Sequence, residues 1–449
     1  MVPFGKPWLK VFYGKINSFL SGVFLPAVLL VLSVFLLIYL KGKPFRGFWK
    51  LLHRSGKGTA PDKKSSAYRA LAMALAGTLG VGNITGVADA LQKGGAGVLF
   101  WMWVSALGAM VVKYAEVLLA MRTRRSFRGE IAGGAMFYIQ PKIVALLFSL
   151  LGVLCAFSVG SGLQATAAGQ AWSALFSFSP LPLCLFLSLL TAFCIFRKTS
   201  LLFFLTARLV PLMSGVYILL CLSVILRNAA GLPGVLRSVF QSAFTPSCAL
   251  RGGTVSAFTA LRFGVIRGLL SNEAGCGTAP IAHARSDASD SSAQAALGVV
   301  EVAVDTLLLC SLTGFAVLLV PSDISSPFGA VSFALASVFG KAANGALFLA
   351  LFFFLFSFFL ELSFLALFFF AFATLLCWSF YLEAFVRFLS AKKAAIPISK
   401  ALFCIVCGLA PLIPEEVLWQ IADFSVGAMT LLNLVFLFRN RKIFSKEYS

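Results

Sequence analysis

The stretch AGTLGVGNITG, residues 76–86, decides the fold because it interrupts an apolar segment near its middle. Glycine occupies four of these positions, and each glycine weakens a helix by roughly 1 kcal/mol relative to alanine. We expect a discontinuous helix, whose ends present N–H groups to a carboxylate and unwound carbonyls to a cation. Close packing of helices through small residues is the alternative, which the glycine pattern alone leaves open. A phosphate-binding loop is disfavoured because no Gly-Lys-Ser/Thr follows.

The sequence on both sides of this stretch is that of a membrane protein. Of 449 residues, 60% are hydrophobic and 12% are charged, whereas soluble domains carry about 25% charged residues. Apolar runs of this length cross a bilayer as helices, because lipid offers the backbone no hydrogen-bond partner. We predict an all-α polytopic protein with about eleven spans, at 18–40, 69–93, 97–121, 143–175, 181–197, 201–227, 254–283, 291–320, 345–390, 400–413 and 418–438.

The charge distribution gives an orientation. The net charge is +21, and the basic residues fall between apolar runs, as expected for cytoplasmic loops rather than for a nucleic-acid-binding domain. The predicted topology places the N-terminus outside and the basic tail 439–449 in the cytoplasm, in the cell (inner) membrane. The run 18–40 is too long for a signal peptide and has no cleavage site, so we interpret it as a retained span.

A second interrupted segment reads RGLLSNEAGCGTAPIAH, residues 267–283. It combines Gly and Pro breakers with polar side chains inside an apolar region, which indicates an internal site. The two interrupted segments are the second and seventh predicted spans. If the first span is an extra N-terminal helix, the remaining ten spans form two repeats of five, and each repeat begins with an interrupted span. Paired interruptions at corresponding places are typical of inverted-repeat transporters.

These stretches resemble the alanine or glycine:cation symporters, also called sodium:alanine symporters. The resemblance rests on AGTLGVGNITGVADAL at 76–91, FWMWVSALGAMVVKYAEVLLAMRTR at 100–124 and RGLLSNEAGCGTAPIAHA at 267–284, and extends from about 17 to 439. It implies a five-plus-five inverted repeat similar to the leucine-transporter fold, preceded by one helix. It also implies cation-coupled (sodium) symport of alanine, glycine and D-alanine by alternating access, with no cofactor other than the coupling ion.

The resemblance further implies a set of site residues. Those implied to bind the amino acid are Thr78, Gly80, Gly82, Asn83, Gln164, Ser271, Asn272, Glu273, Gly275 and Trp378. Those implied to bind sodium are Gly77, Gly80, Asn83 and Thr374. The family pattern has a second Thr where Ala373 stands and Gly where Cys377 stands. We therefore expect the cation site near Thr374 to be where this chain departs from its relatives.

The predicted organisation has five parts. They are 1–68 (N-terminal helix and basic cytoplasmic loop), 69–227 (first repeat), 228–253 (extracytoplasmic loop), 254–438 (second repeat) and 439–449 (tail). The second repeat contains a Phe-rich insertion of 16 residues near 345–372, because LALFFF occurs at both 349–354 and 365–370. Counting positive charges favours one net crossing for 345–390, as a longer helix, a kink or a re-entrant excursion.

Other ionisable residues lie within the spans. Lys113 and Glu116 are three apart on one helix and are expected to pair. Asp89 and Asp305 are expected to join the polar interior. A proton-coupled permease, with Glu273 or Asp89 as carrier, remains an alternative, as does a degenerate relative that does not transport. An intramembrane enzyme is disfavoured because neither histidine, His53 or His283, has a partner at ligand spacing.

Overall fold

The structure is a computed structural model that describes residues 24–56, 65–245, 248–250, 253–255, 257–322, 326–337 and 346–445. The first half contains α1 (Leu25–Tyr39), α2 (Lys43–Gly56), α3 (Ser66–Thr78), α4 (Thr85–Gly94), α5 (Val98–Thr123), α6 (Ala135–Tyr138), α7 (Lys142–Cys155), α8 (Leu163–Phe176), α9 (Leu181–Ile195) and α10 (Thr199–Arg227). The second half contains α11 (Leu232–Phe244), α12 (Ala257–Asn272), α13 (Ala279–His283), α14 (Ser291–Val302), α15 (Ser311–Leu319), α16 (Pro327–Ala336), α17 (Ala346–Leu389), α18 (Ala395–Leu409), α19 (Glu415–Arg439) and α20 (Lys442–Ser445).

Two short antiparallel hairpins and two π-helical segments lie between these helices in the described part of the chain. Strands β1 (Arg125–Phe127) and β2 (Glu130–Ala132) follow α5, and β3 (Cys248–Leu250) and β4 (Gly253–Val255) precede α12. The π-helical segment Ala156–Gly162 joins α7 to α8, and a second joins α14 to α15. Each joined pair therefore runs as one long helix with a local widening.

In the described part of the chain, seven helices are long and apolar enough to cross a membrane. The number of candidate spans rises to nine if each of two bent helix pairs is counted as one span. The bent pairs are α1 with the first part of α2, at 78°, and α3 with Val81–Gly94, at 61°. The structure thus confirms a multi-spanning helical membrane protein, while the total of eleven spans and the inverted repeat stay predictions.

Both predicted helix interruptions are present. Helix α3 ends at Thr78, a single 3₁₀ turn follows at Val81–Asn83, and α4 begins at Thr85. Helix α12 ends at Asn272 and α13 begins only at Ala279. In this second gap Gly275 and Gly277 have φ angles of 85° and 77°, a conformation that glycine adopts without steric cost.

The region 228–253 is more ordered than the predicted loop. It contains α11 and strand β3, and Val239 and Ala243 of α11 are almost fully buried. Helix α16 is a second short helix that the sequence analysis did not predict, and it lies between two predicted spans. Both helices are too short to cross a bilayer of roughly 30 Å, so a search for spans could not find them.

The Phe-rich region forms one helix. Helix α17 continues for 44 residues without a break, which is the longer-helix outcome among those the sequence left open. Within α17 the structure describes side chains only from Glu361 onward. The first LALFFF copy, at 349–354, therefore lies outside the described side chains. In the second copy Leu367 and Phe370 are fully buried. Among the described side chains of α17, the segment Glu361–Leu389 is long and apolar enough to cross a membrane.

Candidate functional site

A cavity of about 610 Å³ lies where the two interrupted helices face each other. The predicted site residues that line it are Gly77, Thr78, Gly80, Gly82, Gln164, Ser271, Glu273 and Trp378. The other predicted residues, Asn83, Asn272, Gly275 and Thr374, are buried and stand behind this wall. The structure therefore brings the two predicted constellations to one place, with α8 and α17 completing the wall.

The first interruption is held by side chains from α8 and α17. The Val81 N–H donates to Gln164 Oε1 (3.3 Å), and Thr374 Oγ1 lies 3.3 Å from the Leu79 carbonyl and 2.9 Å from the Phe370 carbonyl of its own helix. A Cβ at Gly80 would lie 3.0 Å from Gln164 Oε1 and 3.1 Å from Thr374 Oγ1. The absence of a side chain at Gly80 therefore lets the unwound backbone lie against both polar groups.

Asn83 fixes the other end of the same turn. Its Oδ1 accepts from the Gly80 N–H (3.2 Å), and its Nδ2 donates to Asp305 Oδ1 (2.6 Å). Asp305, in the π-helical segment Ala303–Cys310, also accepts from Ser271 (2.9 Å) of α12 and from Thr306 (2.7 Å). The expectation that Asp305 joins the polar interior is confirmed, and this carboxylate connects both interrupted segments.

The second interruption is held by residues that the site prediction omitted. Gly277 N–H donates to Glu116 Oε1 (3.0 Å), and Asn433 Nδ2 donates to the Gly275 carbonyl (2.8 Å) and to Glu116 (2.5 Å). Glu273 has a φ of 50° and accepts from Thr278 Oγ1 (2.6 Å). Glu116 and Asn433 are 317 residues apart, so no local sequence pattern links them.

The predicted pairing of Lys113 with Glu116 is wrong. Lys113 Nζ instead lies 3.3 Å from Glu301 Oε1, and both side chains are fully buried. His283 Nε2 lies 3.3 Å from the other oxygen of Glu301, and the His283 Nδ1 meets Gln294 at 2.7 Å. Because α5 is packed on both sides, Lys113 and Glu116 point to different neighbours, α14 for Lys113 and the second interruption for Glu116.

The cavity opens at a charged rim near the end of α4. Asp89 and Lys93 of α4 lie 2.8 Å apart there, and Glu415 accepts from the Trp419 indole N–H (3.0 Å) on α19. The expectation that Asp89 joins the polar interior is wrong, because its side chain is 39% exposed at this rim. The two interruptions form the floor of this cavity, and the rim of exposed charges connects it to solvent on one side.

Charged groups outside the cavity tie the hairpin β1–β2 to neighbouring helices. Glu130 of β2 pairs with Arg285, just after α13, and with Arg387 of α17 (3.4 Å). The Arg124 guanidinium donates to the carbonyls of Ser286 and Ala288. These bonds cover the end of the second interrupted helix that faces away from the charged rim.

Two interrupted helices that meet at one cavity within a helical bundle define a multi-spanning membrane transporter. The chain belongs to the sodium:alanine symporter family, whose model matches residues 6–448. It is 32% identical over 436 residues to the sodium/alanine symporter AgcS of Methanococcus maripaludis, covering 94% of this chain and 92% of that protein. It is also 32% identical over 408 residues to an uncharacterized transporter of Haemophilus influenzae, covering 88% and 85%.

A solved structure supports the same fold. The structure of a Na⁺-coupled sialic acid symporter aligns with a TM-score of 0.57 at 12% identity, covering 93% of this chain and 87% of that one. At this identity the likeness concerns the fold alone. The membrane-transporter fold is therefore shown by the family, by its relatives and by the helical architecture together.

Proposed function

We propose that this protein couples the entry of sodium to the uptake of a small neutral amino acid, alanine or glycine. The observation that carries the proposal is the cavity between the two interruptions, where α4 begins on one wall and Glu273 stands on the other. The N-terminus of a half-helix attracts a carboxylate, and a buried carboxylate attracts an ammonium group. The carboxylate of a bound amino acid would thus face the start of α4 on one wall, and its ammonium group would face Glu273 on the opposite wall.

The name of the Methanococcus relative, a sodium/alanine symporter, supports the same substrate and ion. Gly77, Gly80, Asn83 and Thr374 are proposed to contribute to a sodium site, since carbonyl, amide and hydroxyl oxygens are the ligands that hard cations prefer. Thr374 Oγ1 already lies against the unwound backbone at Leu79. Sodium bound there would hold the first interruption in the shape that receives the amino acid.

The mechanism is alternating access. In the predicted topology the charged rim faces the outside and the Glu130 ion pairs face the cytoplasm, so the cavity is open outward and covered inward. One charge crossing about 100 mV supplies roughly 2.3 kcal/mol, which concentrates a zwitterion about 50-fold at about 1.4 kcal/mol per decade. Rocking of one helical bundle against the other would then expose the same cavity to the cytoplasm.

Uptake into proteoliposomes tests the proposal. Full-length protein is reconstituted, and labelled alanine and glycine uptake is measured with an inward sodium gradient, with potassium replacing sodium, and with a proton gradient alone. We expect uptake only with sodium, and competition by other small neutral amino acids in both stereochemical forms. Absence of uptake under every gradient would refute the proposal and favour a degenerate relative.

A proton-coupled permease is the second candidate, because Glu273 places a buried carboxylate on the cavity wall. In the same vesicles, uptake that persists without sodium and stops when the proton gradient is collapsed would favour it. Glu273→Gln and Asp89→Asn then identify the carrier, since only loss of the proton-carrying group would abolish the proton-driven uptake.

A further inference from the structure

Helix α2 leaves α1 almost at a right angle. The axes of the two helices differ by 78°, and the turn between them passes through Lys41 and Gly42, whose φ angles are 53° and 73°. Helix α1 belongs to the predicted span 18–40, so α2 runs close to the plane of the membrane surface. Its sequence reads KPFRGFWKLLHRSG, which contains basic and aromatic residues and no acidic one. This composition is typical of amphipathic helices that lie between headgroups and acyl chains.

One face of α2 packs on the rest of the protein. Pro44 is buried, and Phe48 and Leu51 pack against the hydrophobic core. A Cβ at Gly47 would lie 3.1 Å from the Ala296 Cβ of α14. Ala296 lies five residues after the start of α14, which corresponds to about 7.5 Å along the helix axis. Interfacial helices bury their apolar face by about 5–10 Å, so this contact has the depth expected for a helix at the membrane surface.

A second face of α2 is basic and exposed. Arg46, Lys50 and His53 follow one another at spacings of four and three residues, which places them on one face of the helix, and all three are exposed. None of them forms an ion pair with another residue that the structure describes. Asp62 is the single acidic residue between positions 41 and 69, which include nine lysines and arginines. This stretch of sequence therefore leaves the basic face without a neutralising charge.

Between these two faces, α2 presents aromatic rings to its surroundings. Trp49 is 67% exposed, and Phe45, one turn earlier, is half-buried. The Trp49 ring contacts the Phe48 ring edge-on, with 5.8 Å between the ring centroids. Tryptophan is enriched at the boundary between lipid and water, because its ring is apolar and its N–H is polar. Helix α2 thus has a protein-facing side, an aromatic side and a basic side, which is the arrangement expected at a membrane surface.

We propose that α2 binds anionic phospholipid headgroups of the adjoining leaflet, with Arg46 and Lys50 on the phosphate groups and Trp49 among the upper acyl chains. The occupant is lipid rather than a second copy of this chain, because a two-fold contact would set the same basic residues against each other. This inference goes beyond the proposed function, since it concerns the membrane surface and not the substrate cavity.

The position of α2 connects this lipid to transport. Helix α14, on which α2 packs at Ala296, continues into the π-helical segment that carries Asp305. Asp305 in turn accepts from Asn83 and Ser271, which belong to the two interruptions at the cavity. Lipid that holds α2 against α14 therefore steadies the helix behind the cavity without touching the amino acid.

Lipid binding is measured on the purified full-length protein in detergent, with neither amino acid nor an ion gradient. Thermal unfolding is followed while short-chain phosphatidylglycerol or phosphatidylcholine is added, because a ligand that binds only the folded state raises the melting temperature. We expect tighter binding of phosphatidylglycerol, which weakens as salt screens the charges. Inorganic phosphate at the same concentration should have no effect, which separates a lipid from a free anion. Equal affinity for the two lipids would overturn the proposal.

Variants assign the lipid to α2. Arg46→Gln/Lys50→Gln should weaken the phosphatidylglycerol Kd about 5- to 25-fold, since each basic residue near an anionic surface contributes up to about fivefold. Lys392→Gln/Lys393→Gln is the matched control, because it removes the same charge from an exposed loop between α17 and α18. Its Kd should equal that of the wild type, and an equal loss in this control would mean attraction to the overall charge and would overturn the assignment.

Trp49→Ser keeps the test informative if the basic residues prove necessary for folding. It leaves every charge in place and is expected to weaken the phosphatidylglycerol Kd about threefold, because Trp49 no longer anchors the helix. An unchanged Kd in both α2 variants would overturn the proposal. Cross-linking in phosphatidylcholine alone provides a further check: a dimer in the wild type that is lost in Arg46→Gln/Lys50→Gln would make α2 a self-association surface instead.

Alanine uptake into proteoliposomes gives the second readout. Wild type should transport faster in phosphatidylcholine that contains phosphatidylglycerol than in phosphatidylcholine alone, and Arg46→Gln/Lys50→Gln should transport equally in both membranes at the slower rate. Wild-type uptake that is equal in the two membranes would refute the connection through α14. Absence of wild-type uptake in either membrane would contradict the proposed function, whereas the lipid Kd would still decide the lipid site.

Discussion

Removing the lysine of the buried Lys113–Glu301 pair should destabilise the protein severely, and removing both charges should not. At 3.3 Å, two unit charges attract by about 5 kcal/mol at an effective dielectric constant of about 20. Lys113→Met leaves Glu301 buried with His283 as its remaining partner at ion-pair distance within the described residues. The expected cost is about 3–5 kcal/mol, since breaking a buried pair leaves an uncompensated charge. Glu301→Gln should cost a similar amount.

A double-mutant cycle separates this pair from general disruption. The double variant Lys113→Met/Glu301→Gln should be more stable than either single variant, so single costs of about 3–5 kcal/mol imply a coupling energy of at least about 3 kcal/mol. Unfolding is measured in mixed detergent–SDS micelles by tryptophan fluorescence. Lys93→Met is the matched control, because Lys93 and Asp89 lie closer, at 2.8 Å, yet their side chains are 54% and 39% exposed. Its cost should stay below about 1 kcal/mol.

The reasoning is refuted if the single variants each cost under about 1 kcal/mol, or if their costs add in the double variant. Additive costs would mean that Lys113 and Glu301 act independently despite their distance. An equally large cost in Lys93→Met would mean that the assay reports loss of any lysine rather than burial of charge.

Three further predictions concern the cavity wall. Gly80→Ala places a Cβ within 3.1 Å of two polar side chains. Overpacking of this kind costs about 1–3 kcal/mol, which should raise the KM for alanine about 5- to 150-fold. The control is Gly427→Ala, whose Cβ meets open space and which should leave uptake unchanged. Gly160→Ala would bring a Cβ 2.4 Å from the Trp378 Cβ; displacement of the indole should lower both the melting temperature and alanine uptake. Glu273→Gln should raise the KM for alanine at least tenfold in sodium-driven uptake, and an unchanged KM would exclude this carboxylate as the ammonium partner.

Both interruptions and most of the predicted spans could be recognised in the sequence because they depend on local composition. Apolar length fixes where a helix can cross lipid, and clustered glycines fix where it breaks, as the end of α3 at Thr78 confirms. The interruption predicted within 267–283 is confirmed in the same way, by the gap between Asn272 and Ala279. These features require no knowledge of which helix lies beside which.

The polar contacts behind the wall could not be predicted in this way. Asn83 meets Asp305 across 222 residues, and Glu116 meets Asn433 across 317. The spacing of Lys113 and Glu116 indicated a pair on one helix, but α5 is buried on all sides around these two residues, so each side chain has a partner outside α5. Distant partners are set by the packing of whole helices, and a single sequence carries no direct record of that packing.

The distance along the chain between Lys113 and Glu301 has a consequence for membrane insertion during synthesis. The two residues are 188 positions apart, so at roughly 5–20 residues per second the ribosome needs roughly 10–40 s to reach the glutamate after the lysine. During that interval α5 enters the membrane with a lysine whose insertion costs about 2.5–3.5 kcal/mol at a helix centre. The leucine, valine and phenylalanine residues of α5 must offset this cost alone, each by about 0.3–0.6 kcal/mol. Membrane insertion, before any bundle exists, therefore limits how many polar residues this helix can carry.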